Sequence, residues 1–141
     1  MYLIDTVTLS ELRRRRRDTR LVAWFERQRT VDLFVSVISI REIERGIAAQ
    51  RASNPGFAAA LARWLDTVLA LYGERILPFD LSAARRWGLL SAALGNESAD
   101  LMIAATALEH GLTVVTRNVA DFAPAHSSLR NLVHRSEGAA G

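Results

Sequence analysis

Short apolar runs alternate along the chain with longer stretches in which apolar residues recur at helical spacing. The short runs predict five strands, at residues 2–5, 32–36, 75–79, 112–116 and 131–134. The fourth run reads as a continuous apolar segment of the kind that is buried on both faces of a parallel sheet. Pro78 has no N–H group for a sheet ladder, so we expect the third strand to lie at an edge.

The longer stretches predict helices over about residues 7–13, 19–28, 39–51, 55–72, 81–94 and 98–110. Residues that commonly cap helix starts precede several of them, namely Asp18 or Thr19, Ser39, Asn54 before Pro55, and Ser98. Glycines that commonly end helices follow others, at Gly73, Gly95 and Gly111.

Strands that alternate with helices indicate a three-layer α/β/α domain around a mainly parallel, five-stranded sheet. No linker divides the chain. We therefore expect one domain over residues 1–135, followed by a disordered tail over residues 136–141.

The composition excludes several kinds of chemistry. The chain has no cysteine, which excludes disulfides, thiolate metal sites and a cysteine nucleophile. All 18 basic residues are arginine, so no mechanism that needs a lysine is available. The net charge of +3 does not by itself indicate a nucleic-acid-binding protein. No apolar stretch is long enough to span a membrane and no signal peptide is visible, so we expect a cytoplasmic protein.

Four acidic residues fall beside strand ends and helix starts. Asp5 ends the first strand, and Glu42 lies in the first turn of the helix after strand 2. Asp100 lies in the first turn of the helix before strand 4, and Asp121 follows that strand. Ligands of open parallel sheets bind just past the carboxyl ends of the strands. If strands 1 and 4 are neighbours, the four carboxylates converge above one edge of the sheet.

Each acid also has an ordinary structural explanation. Asp5 and Asp121 can be turn residues. Glu42 fits a capping box with Ser39, in which its carboxylate bonds back to the backbone of the cap residue. Asp100 can interact favourably with the helix dipole. The functional interpretation therefore depends on the joint placement of the four residues, which the fold decides.

Carboxylates packed together repel one another, and a hard cation such as Mg²⁺ or Mn²⁺ relieves that repulsion. Metal ions held by acids can activate water and stabilise the charge of a phosphodiester transition state. This chemistry needs neither histidine nor lysine. His110 stands at a helix C-terminus, where a cation is favoured, and His126 and His134 show no partner spacing. We therefore do not expect a metal-free ribonuclease that uses two histidines.

Four segments carry a family resemblance. They contain Leu3-Ile4-Asp5-Thr6, Ser39-Ile40-Arg41-Glu42, Ala99-Asp100-Leu101-Met102 and Thr116-Arg117-Asn118-Val119-Ala120-Asp121. These segments resemble the PIN domain family, and most closely its VapC-type toxin ribonucleases of bacterial toxin–antitoxin modules. The resemblance covers nearly the whole chain, with the segments in the fitting order and at fitting separations.

The resemblance implies a PIN-like sheet of strand order 3-2-1-4-5, which makes strands 1 and 4 neighbours. It implies a catalytic acidic site for Mg²⁺ or Mn²⁺ formed by Asp5, Glu42, Asp100 and Asp121. The supporting polar residues of that site are Thr6, Thr116 and Asn118. It further implies an endoribonuclease, a hydrolase that cleaves RNA phosphodiesters with a metal-activated water and leaves a 5′-phosphate and a 3′-hydroxyl. Homodimerisation and inhibition by a cognate antitoxin are also implied.

The chain departs from the family at the first motif, where Asp5-Thr6 is followed by Val7 and the family usually has asparagine. Val7 cannot form the hydrogen bonds of that amide, although Thr8 can take its place. The alternative is therefore a catalytically weak PIN-like protein that binds RNA or an antitoxin. The fourth acid falls at Asn118 in some relatives and at Asp121 in others, and only Asp121 carries a charge.

The remaining candidates concern binding. The run of Arg13, Arg14, Arg15, Arg16 and Arg17 is a candidate RNA-binding segment, because guanidinium groups bind phosphates well, or else a solvated basic loop. Small residues at positions 58–61 and 92–94 can border a groove for an antitoxin helix or pack in the core. Phosphohydrolases of the haloacid dehalogenase type and receiver domains need a lysine, and a dinucleotide-binding module needs a glycine-rich first turn that is absent here.

Overall fold

In a computed structural model of the protein, residues 1–14 and 16–116 are described. The strands are Tyr2–Ile4 (β1), Leu33–Ser36 (β2), Ile76–Leu77 (β3) and Thr113–Val115 (β4). The helices are Thr6–Glu11 (α1), Thr19–Glu26 (α2), Val37–Gln50 (α3), Pro55–Tyr72 (α4), Leu81–Leu94 (α5) and Ala99–His110 (α6). No helix in the described part of the chain is both long and apolar enough to cross a membrane.

The strands form a parallel sheet of order β3-β2-β1-β4. Ile4 of β1 is in register with Val35 on one side and with Val115 on the other. This confirms that strands 1 and 4 are neighbours and that β3, next to Pro78, lies at an edge. The predicted fifth strand, residues 131–134, and the predicted tail, residues 136–141, lie outside the described residues.

Helices cover both faces of the sheet, which confirms the three-layer architecture. Because successive side chains of a strand point to opposite faces, Ile4 packs in the cluster of α3 and α4, whereas Leu3 packs in the cluster of α6. α5 lies against α6 through a third cluster that contains Leu90, Leu101 and Ala105. β1 is therefore central and buried on both sides, and its carboxyl end is held rigidly.

Helix ends follow the predicted cap residues in several places. Asn54 caps α4, with Pro55 at the first helical position, and Ser98 caps α6. Gly95 and Gly111 end α5 and α6 in the left-handed conformation, each with φ of 64°, which glycine adopts at little cost.

Two helix starts differ from the prediction because other residues cap them. α1 begins at Thr6 rather than residue 7, since the Asp5 carboxylate accepts the N–H of Thr8 at 2.8 Å. α3 begins at Val37 rather than residue 39, since the Ser36 hydroxyl accepts the N–H of Ile38 at 3.0 Å. β3 is shorter than predicted at both ends: Gly73–Arg75 forms a 3₁₀ turn before it, and Pro78, which has no N–H group for the ladder, follows it.

Candidate active site

Asp5 is held at the carboxyl end of β1 by two independent hydrogen bonds. Its backbone N–H donates to the carbonyl oxygen of Val115 at 3.1 Å, which extends the pairing of β1 with β4. Its carboxylate oxygen Oδ1 accepts the N–H of Thr8 at 2.8 Å and so caps α1. One carboxylate oxygen of Asp5 caps α1, and the cap does not need the other oxygen. Asp5 can therefore end the strand as a capping residue and still take part in a site.

Glu42 does not take part in a capping box, so that interpretation of the sequence is wrong. The cap of α3 is Ser36, which places Ser39 inside the first helical turn and Glu42 one turn further along. The Glu42 carboxylate instead accepts a hydrogen bond from the Thr6 hydroxyl, with Oγ1 and Oε1 2.9 Å apart. A contact across 36 residues of sequence therefore turns Glu42 towards the start of α1.

Thr6 also contacts Ser39, which the sequence pattern indicates only as a helix cap. The Thr6 Oγ1 lies 2.8 Å from the Ser39 hydroxyl oxygen, and Ser39 is fully buried. Thr6 therefore contacts both Ser39 and Glu42, and the sequence pattern did not indicate the contact with Ser39. A burial pattern could have suggested it, because Ser39 falls on the same side of α3 as the buried residues Ile43 and Ile47.

Asp100 lies in the first turn of α6, where Ser98 caps the helix. Its side chain is exposed, and an acid in that turn also interacts favourably with the helix dipole. It is nevertheless near enough to Asp5 for its charge to affect that residue. Asp100 therefore belongs to the same electrostatic neighbourhood as Asp5 and Glu42.

The surroundings of the Asp5 carboxyl group raise its pKa. Burial raises the pKa of Asp5 above its usual range, and the negative charges of Asp100 and Glu42 raise it further. The contacts with Thr8 lower the pKa but do not offset the burial. An acid in this position is destabilised when ionised and gains from a nearby cation.

The donor chemistry of the three acids fits a hard divalent cation, because all their donor atoms are carboxylate oxygens. Within residues 1–14 and 16–116, no three or more His, Asp or Glu side chains lie close enough to hold a metal ion by themselves. Thr116 follows β4 and is half-buried at the same edge of the sheet. Asn118 and Asp121 lie outside the described residues, as do His126 and His134.

The structure divides the arginine run into two parts. Arg13 is half-buried, and its guanidinium group lies over the Phe57 ring at 5.2 Å from the centroid, which ties the end of α1 to the start of α4. Arg14, Arg16 and Arg17 are exposed. Arg14 pairs with Glu11 at 3.5 Å, and Arg17 donates to the carbonyl oxygen of Leu12 at 3.2 Å. Arg15 lies outside the described residues.

Three further candidates, Val7, Thr8 and His110, lie within the described residues. Val7 is 53 % exposed in the first turn of α1, so an exposed apolar side chain follows Thr6 directly. His110 is the exposed last residue of α6, as predicted for a cation at a helix C-terminus. The hydroxyl of Thr8 is buried beside Asp5, which keeps Thr8 as a candidate replacement for the missing amide.

The segment at residues 58–61 contains both a buried and two exposed alanines. Ala58 is buried in the main cluster, whereas the neighbouring Ala59 and Ala60 are exposed. On α5 the exposed leucines Leu81 and Leu89 line a shallow cleft with Arg85 and Glu109. This cleft lies on the α5–α6 layer and contains none of the three acids.

Comparison with known proteins agrees with this architecture. The chain is 34 % identical to the VapC ribonuclease Y4jK of Sinorhizobium fredii over 136 residues, which covers 93 % of this chain and 96 % of that protein. It is also 34 % identical to the toxin FitB of Neisseria gonorrhoeae over 140 residues, covering 95 % of this chain and 99 % of that protein.

Solved structures give the same result. A crystal structure of FitAcB from Neisseria gonorrhoeae superposes with a TM-score of 0.73 at 35 % identity, covering 89 % of this chain and 93 % of that chain. VapBC2 from Rickettsia felis, at 19 % identity and a TM-score of 0.65, shares the fold. The family model described as "PIN domain" matches residues 2–123. With that match spanning most of its length, the chain belongs to the PIN domain family.

Proposed function

We propose that the protein is a metal-dependent endoribonuclease and the toxin of a toxin–antitoxin pair. The observation that carries the proposal is the placement of Asp5, Glu42 and Asp100 at one edge of the sheet, where burial and the two other acids raise the pKa of Asp5. Membership of the PIN family supports it, as do the similar proteins known as VapC ribonuclease and toxin FitB.

The proposed cofactor is Mg²⁺ or Mn²⁺. Asp5 and Asp100 would hold the principal ion, and Glu42 and Asp121 would complete its surroundings directly or through water. When bound, the ion supplies positive charge for a phosphodiester transition state and makes water more acidic. The residues themselves fix the geometry: β1 and α1 hold Asp5, the N-terminal turn of α6 carries Asp100, and Thr6 orients Glu42.

A cleavage assay tests the activity directly. We expect an RNA panel to be cut in Mg²⁺ or Mn²⁺, no cleavage in EDTA, and products that carry a 5′-phosphate and a 3′-hydroxyl. Products that end in a 2′,3′-cyclic phosphate would contradict a hydrolytic mechanism. The absence of any cleavage on a broad panel would favour the binding function instead.

The exposed part of the arginine run is the proposed contact for the RNA backbone. α1 has six residues, so roughly 9 Å of helix separates Asp5 from the start of the run. Because these arginines lie beyond the end of α1, they would contact phosphates other than the one being cleaved. Arg13 is assigned to the fold rather than to RNA, because its guanidinium lies over Phe57.

We expect Arg14→Gln with Arg16→Gln to weaken RNA binding and to reduce its salt dependence by about 0.7 in log–log slope for each phosphate that is no longer neutralised. Binding measured by fluorescence anisotropy at several salt concentrations checks this. The matched control is Arg27→Gln with Arg29→Gln, which removes the same charge from exposed residues at the other end of the sheet, before β2. Equal slopes for both pairs would show that the run has no special role.

Protein partners are part of the proposal. A cognate antitoxin and a second copy of the chain are the expected partners, and the likeness to toxin FitB, which has been solved as FitAB bound to DNA, supports the antitoxin. The exposed leucines of α5 offer an apolar surface for such an interaction. Copurification with the product of an adjacent small open reading frame supports the antitoxin; a toxin that is always isolated alone, with no such reading frame, contradicts it.

Val7 favours the second candidate function, a weakly catalytic protein that binds RNA or its antitoxin. We expect Val7→Asn to raise the rate of RNA cleavage, by on the order of 10-fold, because it restores an amide beside the acids. The residue is 53 % exposed, so the change creates no buried polar group. Val31→Asn is the matched control, since Val31 is 56 % exposed and precedes β2 at the other end of the sheet. An unchanged rate in Val7→Asn would indicate that Thr8 or Thr6 already replaces the amide.

A further inference from the structure

A chain of hydroxyl groups leads from the interior of the protein to Glu42. The two hydroxyl groups are those of Ser39 and Thr6, whose oxygens lie 2.8 Å apart. The Thr6 oxygen lies 2.9 Å from the Glu42 carboxylate oxygen Oε1. Ser39 is fully buried, so water does not compete for its hydroxyl. We propose that Ser39 is a positioning residue, which fixes the proton of Thr6 on Glu42 and thereby sets the orientation of that carboxylate for a metal ion.

The direction of the hydrogen bonds follows from the chemistry of the three groups. An ionised carboxylate can only accept, so the Thr6 hydroxyl must use its one proton on Glu42. The Thr6 oxygen then has only lone pairs left, and the Ser39 hydroxyl must donate to it. Without Ser39, the Thr6 hydroxyl can rotate to other acceptors, and Glu42 loses a donor of fixed position.

The fixed direction of these hydrogen bonds matters because Glu42 has a long side chain that is only half-buried. Holding such a side chain in one rotamer costs conformational entropy, and a hydrogen bond to the charged oxygen Oε1 offsets part of that cost. Oε2 is then left for a cation. The Val7 side chain cannot donate a hydrogen bond, so among the described residues the polar support of Glu42 comes from Thr6, which in turn bonds to Ser39.

The inference rests on the proposed metal site, and its test is Mn²⁺ affinity measured by electron paramagnetic resonance in the absence of RNA. We expect Ser39→Ala to weaken Mn²⁺ binding by about 10-fold, the lower range for loss of a group that orients a metal ligand. Thr6→Val should have at least the same effect, and Thr6→Ser, which keeps the hydroxyl, should restore binding. Thr106→Val is the control, since Thr106 is fully buried but bonds to Met102 of its own helix.

The double variant separates positioning from a general loss of stability. If Ser39 acts through Thr6, Ser39→Ala has no further effect on Mn²⁺ affinity in the Thr6→Val background, and the two changes are not additive. Additive effects, or a Ser39→Ala protein that binds Mn²⁺ like the parent, would overturn the inference and leave the metal site intact. A parent protein that binds no Mn²⁺ would instead overturn the metal site itself.

Discussion

Replacing Asp5 by asparagine is expected to abolish RNA cleavage while leaving the protein folded. Loss of a group that only orients a metal ligand costs about 10–100-fold in affinity or activity, so loss of a principal ligand should cost at least about 10²-fold. The fold survives because an asparagine side-chain oxygen can still accept the Thr8 N–H and cap α1. Single-turnover cleavage in Mn²⁺, with circular dichroism of the same samples, measures both effects.

The same variant should change the pH dependence of stability in the metal-free protein. Burial, Asp100 and Glu42 raise the pKa of Asp5 in the folded state. Between the ordinary Asp value, about 3.9, and the raised folded value, the folded protein binds more protons than the unfolded chain. The parent therefore loses stability as the pH rises through this window. Asp5→Asn should not show that loss, and above the window it should be the more stable protein.

Asp66→Asn is the matched control, because Asp66 is exposed on α4 and no described contact ties it to the acids. It should cleave RNA and respond to pH as the parent does. Full activity in Asp5→Asn would show that Asp5 is not a metal ligand. Identical pH profiles for parent and variant would show that the pKa of Asp5 is not raised in the folded protein.

Leu65→Ala should cause the largest loss of stability, about 2–5 kcal/mol in the free energy of unfolding. Leu65 is 2 % exposed and lies in the cluster that joins α3 and α4 to the sheet, so its truncation leaves a cavity in the core. Chemical denaturation measures the change. The catalytic consequence should be indirect: at low temperature, where the variant stays folded, cleavage should be close to that of the parent.

Leu71→Ala tests the same substitution on the same helix at a residue that is 57 % exposed. It should change the free energy of unfolding by no more than about 0.5 kcal/mol. Comparable losses in the two variants would mean that the core is not arranged around α4 as described. A large loss of cleavage in folded Leu65→Ala would mean that the position of α3, and with it Glu42, is sensitive to packing far from the site.

The sequence predicted the position of Asp5 well, because a strand that ends in an acid is a local pattern. The alternation of elements predicted the layers, and the resemblance supplied the strand order that brings β1 beside β4. Glu42 was harder. Ser36 and Ser39 both precede the helical repeat, and choosing the cap requires knowing that Ser36 is the last paired residue of β2, opposite Leu77.

Contacts between distant segments could not be predicted from the sequence alone. Arg13 looked like any other residue of the basic run, yet its partner Phe57 lies at the start of α4. The bonds of Thr6 to Ser39 and Glu42 span 33 and 36 residues, and no periodicity reports such pairs. Sequence patterns identify the surfaces of single elements, whereas these contacts are decided by how the elements pack.

The central position of β1 has a consequence for the order in which the parts of the chain can assemble. Asp5 lies far from β4 in the sequence, but its N–H bonds to Val115 and its charge interacts with Asp100. Strand pairing of such long sequence separation forms only after both segments are available. Before β4 is in place, β1 can pair only with β2, and the N–H of Asp5 lacks its partner Val115. On this account the surroundings of Asp5 are completed late in folding, when β4 pairs with β1.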